Sequence, residues 1–160
     1  MVDKNINTRP ELLLTPDEIK LIQESFKEVD MEKVAAGNIL YKHLFELAPH
    51  TEKLFTHNIK KQKEMFLIAL NICVASIEHP EHISKYLRGL AMRHKKYDVE
   101  PELYKYMEEA LIFTLRDILE DKMTPQTEKA WRKAYWQIAK QMIQIPGGLA
   151  KKWNIDWMFK

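Results

Sequence analysis

The sequence predicts an all-α protein of about seven helices joined by short links. Apolar residues recur at the three- and four-residue spacing of amphipathic helices along most of the chain, and no segment alternates convincingly as a β-strand. Prolines stand where helices would begin or end, and the 160 residues include only four glycines. Together these observations favour one folded helical domain.

The first two helices have clear sequence signals. Thr15 can cap the first helix, Pro16 suits its first position and Glu18 completes a capping box. Its apolar face is predicted to contain Ile19, Ile22, Phe26 and Val29. The second helix, over about 31–47, is predicted to carry on its inner side Val34, Tyr41, Leu44 and Phe45. Pro49 ends it and opens a short helical turn.

Four further helices complete the prediction. A third long face runs over about 60–77, with Met65, Phe66, Ala69, Ile72, Cys73 and Ser76. Pro80 precedes a helix that ends near His94. Pro101 opens a helix with Tyr104, Met107, Leu111, Leu115 and Ile118 on its inner face, and Pro125 opens the last, with Trp131, Ala134, Tyr135, Ile138 and Met142.

Composition excludes several function classes. The formal net charge is +2, and no basic stripe with interleaved aromatics occurs, so nucleic-acid binding is not expected. No apolar run is long enough to span a bilayer, and the N-terminus lacks the apolar core of a signal peptide. The single Cys73 excludes an intrachain disulfide. We therefore expect a cytoplasmic protein without stable membrane insertion.

Three inward-facing polar residues point to a site. His94 shares a helix face with Ile83, Leu87 and Leu90, so its imidazole should point into the core, where it needs a hydrogen-bonding partner or a metal. Tyr41 should point inward from the second helix, and Gln62 shares its face with Phe66. Each has an ordinary structural reading by itself: a satisfied core histidine, a core aromatic and a solvated glutamine.

Four segments in order resemble the globin family. They are 40–49 (LYKHLFELAP), 54–55 (LF), 93–99 (RHKKYDV) and 130–135 (AWRKAY), and the resemblance covers roughly 14–145. Their order and spacing are similar to those of single-domain bacterial haemoglobins and of neuroglobin-like globins. The resemblance implies a globin fold of seven to eight helices enclosing one haem b.

The resemblance also implies roles for individual residues. His94 would be the proximal iron ligand, and Tyr41 with Gln62 would form the distal ligand pocket. Residues contacting the haem would be Phe55, Phe66, Leu90, Val99 and Tyr104. Gly37 matches a position where a small residue lets two helices cross closely.

Several positions depart from the family pattern. The connection from Phe55 to Gln62 is shorter than in bacterial haemoglobins, which could bring His57 toward the distal side. Phe66 is bulkier than the usual aliphatic residue. Tyr104 matches the tyrosine of a flavohaemoglobin-like proximal network, but Pro146 occupies the position of its acid, which weakens the expectation of strong oxygen activation.

The implied function is reversible binding of oxygen, NO and CO. The alternatives are a nitric oxide dioxygenase, which would need an external reductase, and a haem-based gas or redox sensor. We expect an N-terminal extension over 1–13, a globin domain over 14–145 and a tail over 146–160. Trp153 and Trp157 of this tail should pack on the domain surface or on a second subunit, which leaves a homodimer open.

Overall fold

The fold is a set of packed helices. The computed structural model describes residues 14–55, 58–96 and 99–144, which contain six α-helices and no strand. The helices are α1 (Pro16–Met31), α2 (Lys33–Leu47), α3 (Ile59–Ala75), α4 (Ser84–Lys96), α5 (Pro101–Leu119) and α6 (Pro125–Gln144). Three 3₁₀ segments turn the chain between them: Pro49–Phe55, Pro80–Ile83 and Glu120–Lys122. The predicted all-α class is confirmed.

Some predictions concern residues outside the described ranges. His57, Pro146 and the tail tryptophans Trp153 and Trp157 are among them. The predicted roles of these residues therefore stay predictions.

The helix starts follow the capping signals in the sequence. The Glu18 backbone N–H donates to the Thr15 hydroxyl at 3.1 Å, and the Thr15 N–H donates to Glu18 Oε1 at 3.2 Å, which completes the predicted capping box. The side chain of Asn58 caps α3 by accepting from the Lys61 N–H at 3.2 Å. Pro101 and Pro125 each occupy the first position of a helix, as predicted.

Two apolar positions predicted on inner faces are exposed. Val34 is 76% exposed in the first turn of α2, next to Met31, which is 84% exposed. Met65 is 45% exposed on α3, near Ile68 at 56%. Helical spacing shows which residues share a face, but whether another helix covers the whole of that face depends on tertiary packing. The predictions for Val34 and Met65 were therefore wrong.

The core consists of two hydrophobic clusters. The first is formed mainly by α1, α2, α5 and the start of α6, and includes Ile22, Leu40, Tyr41, Leu44, Leu115 and Trp131. The second joins α4 to the start of α5 and the end of α6 through Ile83, Leu87, Ala91, Tyr104, Ala139, Met142 and Ile143. Tyr135 packs against both clusters. Among the described helices, none is long and apolar enough to cross a lipid bilayer.

Candidate functional site

His94 lies near the end of α4, and a hydrogen bond fixes one of its ring nitrogens. Nδ1 lies 2.8 Å from the carbonyl oxygen of Leu90, one helical turn earlier. Because a carbonyl only accepts hydrogen bonds, Nδ1 carries the proton, and Nε2 of the neutral ring keeps its lone pair. Burial lowers the pKa of His94, although the Leu90 bond opposes this shift. A neutral imidazole with a fixed tautomer is the form that binds a metal.

Three other predicted residues lie around His94. The ring of Tyr104 stacks on the imidazole with centroids 6.0 Å apart and an angle of 29° between the planes. The Val99 N–H donates to the His94 carbonyl at 3.2 Å. Leu90 and Val99 both pack against the second cluster. The structure thus brings Tyr104, Leu90 and Val99 together with His94.

A polar network that links Tyr104 of α5 to residues of α6 is not among the sequence predictions. The Tyr135 hydroxyl donates to the backbone carbonyl of Tyr104, and the Tyr135 ring lies edge-on to Trp136 at 5.4 Å. Trp136 Nε1 donates to Glu108, a carboxylate only 8% exposed, which also accepts from Arg132 at 2.6 Å. Burial raises the pKa of Tyr104 and of Tyr135 well above the usual value, so both hydroxyls stay neutral.

One sequence signal for this network was available. Glu108 follows Tyr104 by one helical turn and precedes Leu111, so a charged residue occupies an inward position of α5. A buried carboxylate requires partners. The sequence does not show that Arg132 and Trp136 of α6 supply them.

Tyr41 is the centre of an aromatic group in the first hydrophobic cluster. Its side chain is 1% exposed and contacts the rings of Phe55 at 5.3 Å, Phe45 at 5.9 Å and Phe66 at 6.4 Å. The contacts with Phe55 and Phe66 are edge-to-face, a favourable geometry for aromatic pairs. Burial raises the pKa of Tyr41 to about 12, although a hydrogen bond with Gln62 opposes the shift. The Tyr41 hydroxyl is therefore a neutral donor.

Gln62 lies in the first turn of α3, and its side-chain amide interacts with the Tyr41 hydroxyl, which lowers the pKa of Tyr41 against the effect of burial. The residue as a whole is exposed. Phe66 is half-buried one turn later on the same helix. The structure therefore places the predicted distal residues Tyr41 and Gln62 next to each other, with Phe66, a predicted haem contact, beside Tyr41.

Gly37 permits the close approach of α2 and α3. A Cβ added to it would lie 3.3 Å from Lys63 Cβ and 3.6 Å from a methyl carbon of Leu67. The first distance is tighter than ordinary van der Waals contact, so a larger residue would push the helices apart. Tyr41 lies one turn after Gly37, and Gln62 lies directly before Lys63. The predicted reason for a small residue at Gly37 is confirmed.

The two groups of residues differ in chemistry. The α4 side offers one imidazole nitrogen supported by a stacked aromatic, whereas the α2–α3 side offers a hydroxyl and an amide among phenylalanine rings. A single imidazole supplies a single metal ligand, so a metal bound by His94 takes its other ligands from a prosthetic group or a small molecule. The chemistry of this donor is compatible with a prosthetic group whose metal would be bound through Nε2 of His94.

These features define an all-helical protein with a candidate site for a metal-containing prosthetic group. The globin family profile matches residues 38–142, which is more than half of the chain. The chain therefore belongs to the globin family, for which haem is the expected group.

The matched relatives are flavohemoproteins. The chain is 30% identical to the flavohemoprotein of Rhizobium meliloti over 102 residues, which cover 62% of this chain and 25% of the relative. It is 22% identical to flavohemoprotein B of Dictyostelium discoideum over 82% of this chain and 31% of the relative. It is 23% identical to the flavohemoprotein of Vibrio cholerae over 86% of this chain and 36% of the relative. The chain thus spans between a quarter and about a third of the length of these relatives.

Proposed function

We propose that the chain is a haem-binding globin that reversibly binds oxygen and related diatomic ligands, NO and CO. His94 would bind the iron of a haem b through Nε2. The observation that carries the proposal is the Nδ1 hydrogen bond to Leu90, because it fixes the tautomer and leaves Nε2 as the ligand atom. When bound, the haem would supply a ferrous iron with a free coordination position for the diatomic ligand.

The remaining predicted residues would hold the haem. Phe55 and Phe66 would contact it on the Tyr41 side, and Leu90, Val99 and Tyr104 on the His94 side. Phe55 and Phe66 are partly buried against the first cluster, and Leu90 and Val99 against the second, so burial of an apolar porphyrin would extend the core. Stacking of Tyr104 on the imidazole limits rotation of the His94 ring.

Tyr41 and Gln62 would act on the bound ligand. Oxygen on ferrous iron draws electron density from the metal, whereas carbon monoxide draws less. A neutral hydroxyl and an amide group therefore stabilise oxygen selectively through hydrogen bonds, each contributing on the order of 1 kcal/mol. The proposal implies slow release of oxygen.

Absorption spectra of the ferric, ferrous and CO forms test the proposal. His94→Ala should abolish stable haem retention or remove the ferrous spectral signature of a proximal imidazole. The matched control is His82→Ala, because the His82 side chain is 69% exposed and lies before α4. Unchanged spectra and haem content in His94→Ala would refute the proposed ligand.

A second candidate function is nitric oxide dioxygenase activity. The contact of the Tyr104 ring with His94 favours it, because Tyr104 matches the tyrosine of the flavohaemoglobin-like proximal network. The flavohemoprotein relatives suggest a flavin-containing electron source. Oxygen and NO would be combined to nitrate with oxidation of ferrous iron to ferric, and an external reductase would return one electron per turnover.

This activity predicts one nitrate formed per NO consumed. Tyr104→Leu should lower turnover more strongly than Tyr106→Leu, a matched change on the same helix. Equal turnover in the two variants would leave reversible binding as the function.

A further inference from the structure

The outer face of α4 has an unusual composition. We define this face by Lys85, Arg88, Gly89 and Met92, all of which are exposed. At about 100° per residue they lie within an arc of roughly 100° on the helix. His94 is on the opposite side of the same helix, so one helix diameter separates this face from the candidate iron ligand.

The charge on α4 has one sign. Its sequence, SKYLRGLAMRHKK, contains five lysines and arginines and no acidic residue. Lys85 lies in the first turn, where the helix dipole disfavours a cation. Elsewhere in the described chain, cations such as Lys133 and Arg132 form ion pairs, but no such pair involves Lys85 or Arg88 among the described residues.

Within the described part of the chain, no contact and no backbone conformation requires glycine at position 89. A Cβ added there would meet nothing within 4 Å, in contrast to Gly37, and its backbone is helical without a positive φ. Glycine within a helix is less stable than alanine because it loses more backbone freedom on folding. Met92, three residues on, leaves 51% of its surface exposed. This face therefore combines a bare backbone at Gly89 and a flexible apolar side chain at Met92 with two cations, Lys85 and Arg88, that form no ion pair with another described residue.

We propose that the outer face of α4 is the docking surface for an acidic electron-donor protein that reduces the haem iron. Carboxylates of the donor would pair with Lys85 and Arg88, its surface would approach the backbone at Gly89, and Met92 would supply the apolar centre. One electron would pass from the donor's cofactor to the bound haem, which would be reduced from ferric to ferrous. The inference rests on the proposed haem function and adds the partner and its surface.

The test measures reduction of the full-length ferric holoprotein by a reduced, strongly acidic [2Fe–2S] ferredoxin in stopped flow. Lys85→Glu/Arg88→Glu should slow the second-order rate about tenfold at low salt, and the difference should disappear at high salt. The matched control is Lys27→Glu/Lys129→Glu, which changes two exposed lysines on α1 and α6 and produces the same change in net charge. It should remain within about twofold of the unsubstituted protein.

A second measurement does not depend on electron transfer. Binding of the oxidised ferredoxin, followed by isothermal titration calorimetry, should weaken about tenfold in the Lys85/Arg88 variant and little in the control. Gly89→Ala should raise the melting temperature while weakening this binding. A gain in both stability and binding would overturn the role of Gly89.

Other outcomes overturn the proposal itself. Equal slowing in both double variants would assign the effect to net charge, and salt-independent reduction would exclude electrostatic docking. If Lys85 and Arg88 governed binding to phosphatidylserine vesicles but not to ferredoxin, the face would bind a membrane surface instead. Reduction by dithionite separates the two proposals, because failure to obtain a ferrous haem spectrum would refute the haem function rather than the docking surface.

Discussion

The hydroxyl of Tyr41 should control how fast the proposed globin releases oxygen. Tyr41→Phe keeps the ring, which is 1% exposed and contacts Phe55 and Phe66 edge-to-face, so the change creates little cavity. Gln62 is exposed and can bond to water, so no buried group loses its only partner. The expected loss is therefore one neutral hydrogen bond, about 1 kcal/mol, or roughly fivefold faster oxygen release.

The assay compares two ligands in the ferrous protein. Oxygen release is measured by displacement with excess CO, and CO release by displacement with NO. Tyr41→Phe should accelerate oxygen release about fivefold and CO release less than about twofold. The control is Tyr106→Phe, which removes a hydroxyl from a tyrosine whose ring contacts His50 at 6.1 Å.

Two results would refute this reasoning. Equal acceleration of oxygen and CO release would indicate a steric pocket, and no acceleration would show that the hydroxyl does not reach the ligand. Because the side chains of Tyr41 and Gln62 interact, the effects of Tyr41→Phe and Gln62→Leu should not add in the double variant.

Three further predictions concern stability and the His94 side. Glu120→Gly should raise the free energy of unfolding, measured by urea titration, by about 1 kcal/mol. Glu120 is exposed and has φ 49° and ψ −119°, a backbone conformation that favours glycine. A loss of stability would contradict this prediction. Burial raises the pKa of Glu18, but hydrogen bonds from Lys133 and Thr15 outweigh this effect and hold the folded-state pKa below the unfolded value. Ionised Glu18 therefore contributes to the free energy of unfolding above the unfolded-state pKa, and this stabilisation is lost as the pH falls through the folded-state pKa. Glu18→Gln should therefore destabilise the protein at pH 7 and much less near pH 3 by thermal unfolding, whereas the same destabilisation at both pH values would rule out the ion pair as its cause. Tyr135→Phe removes a hydroxyl that donates to the Tyr104 carbonyl, and it should shift the iron–histidine stretching frequency and speed haem loss several-fold. The control Thr114→Val removes a buried hydroxyl that donates to the Ala110 carbonyl and should leave both properties unchanged. Equal effects of the two variants would make Tyr135 a purely structural residue.

The sequence was most informative where short-range physics decides the structure. The Thr15 capping box, the helix-opening prolines and the inward positions of Tyr41, Leu87 and Leu115 follow from local spacing. The exposure of Val34 and Met65 does not, because it depends on which helix covers each face. Packing partners distant in sequence have no local signal.

The same distinction applies to the candidate site. The inward spacing of His94 could be read from the sequence, and the family resemblance suggested Tyr104 and Gln62. The support of Tyr104 by Tyr135, and of Glu108 by Arg132, joins residues 24 to 31 positions apart on different helices. Only three-dimensional packing could show it. The possible homodimer, the cytoplasmic location and the tail contacts stay predictions.

The division of the core into two clusters has a consequence for how such a protein can diversify. Tyr41 belongs to one cluster and Tyr104 to the other, and Tyr135 packs against both. Under the proposed function, changes near Tyr41 would adjust discrimination among gas ligands and changes near Tyr104 would adjust the reduction potential of the bound iron, with nearly independent effects. Among the described residues, Tyr135 packs against both clusters, so substitutions there would affect both properties at once.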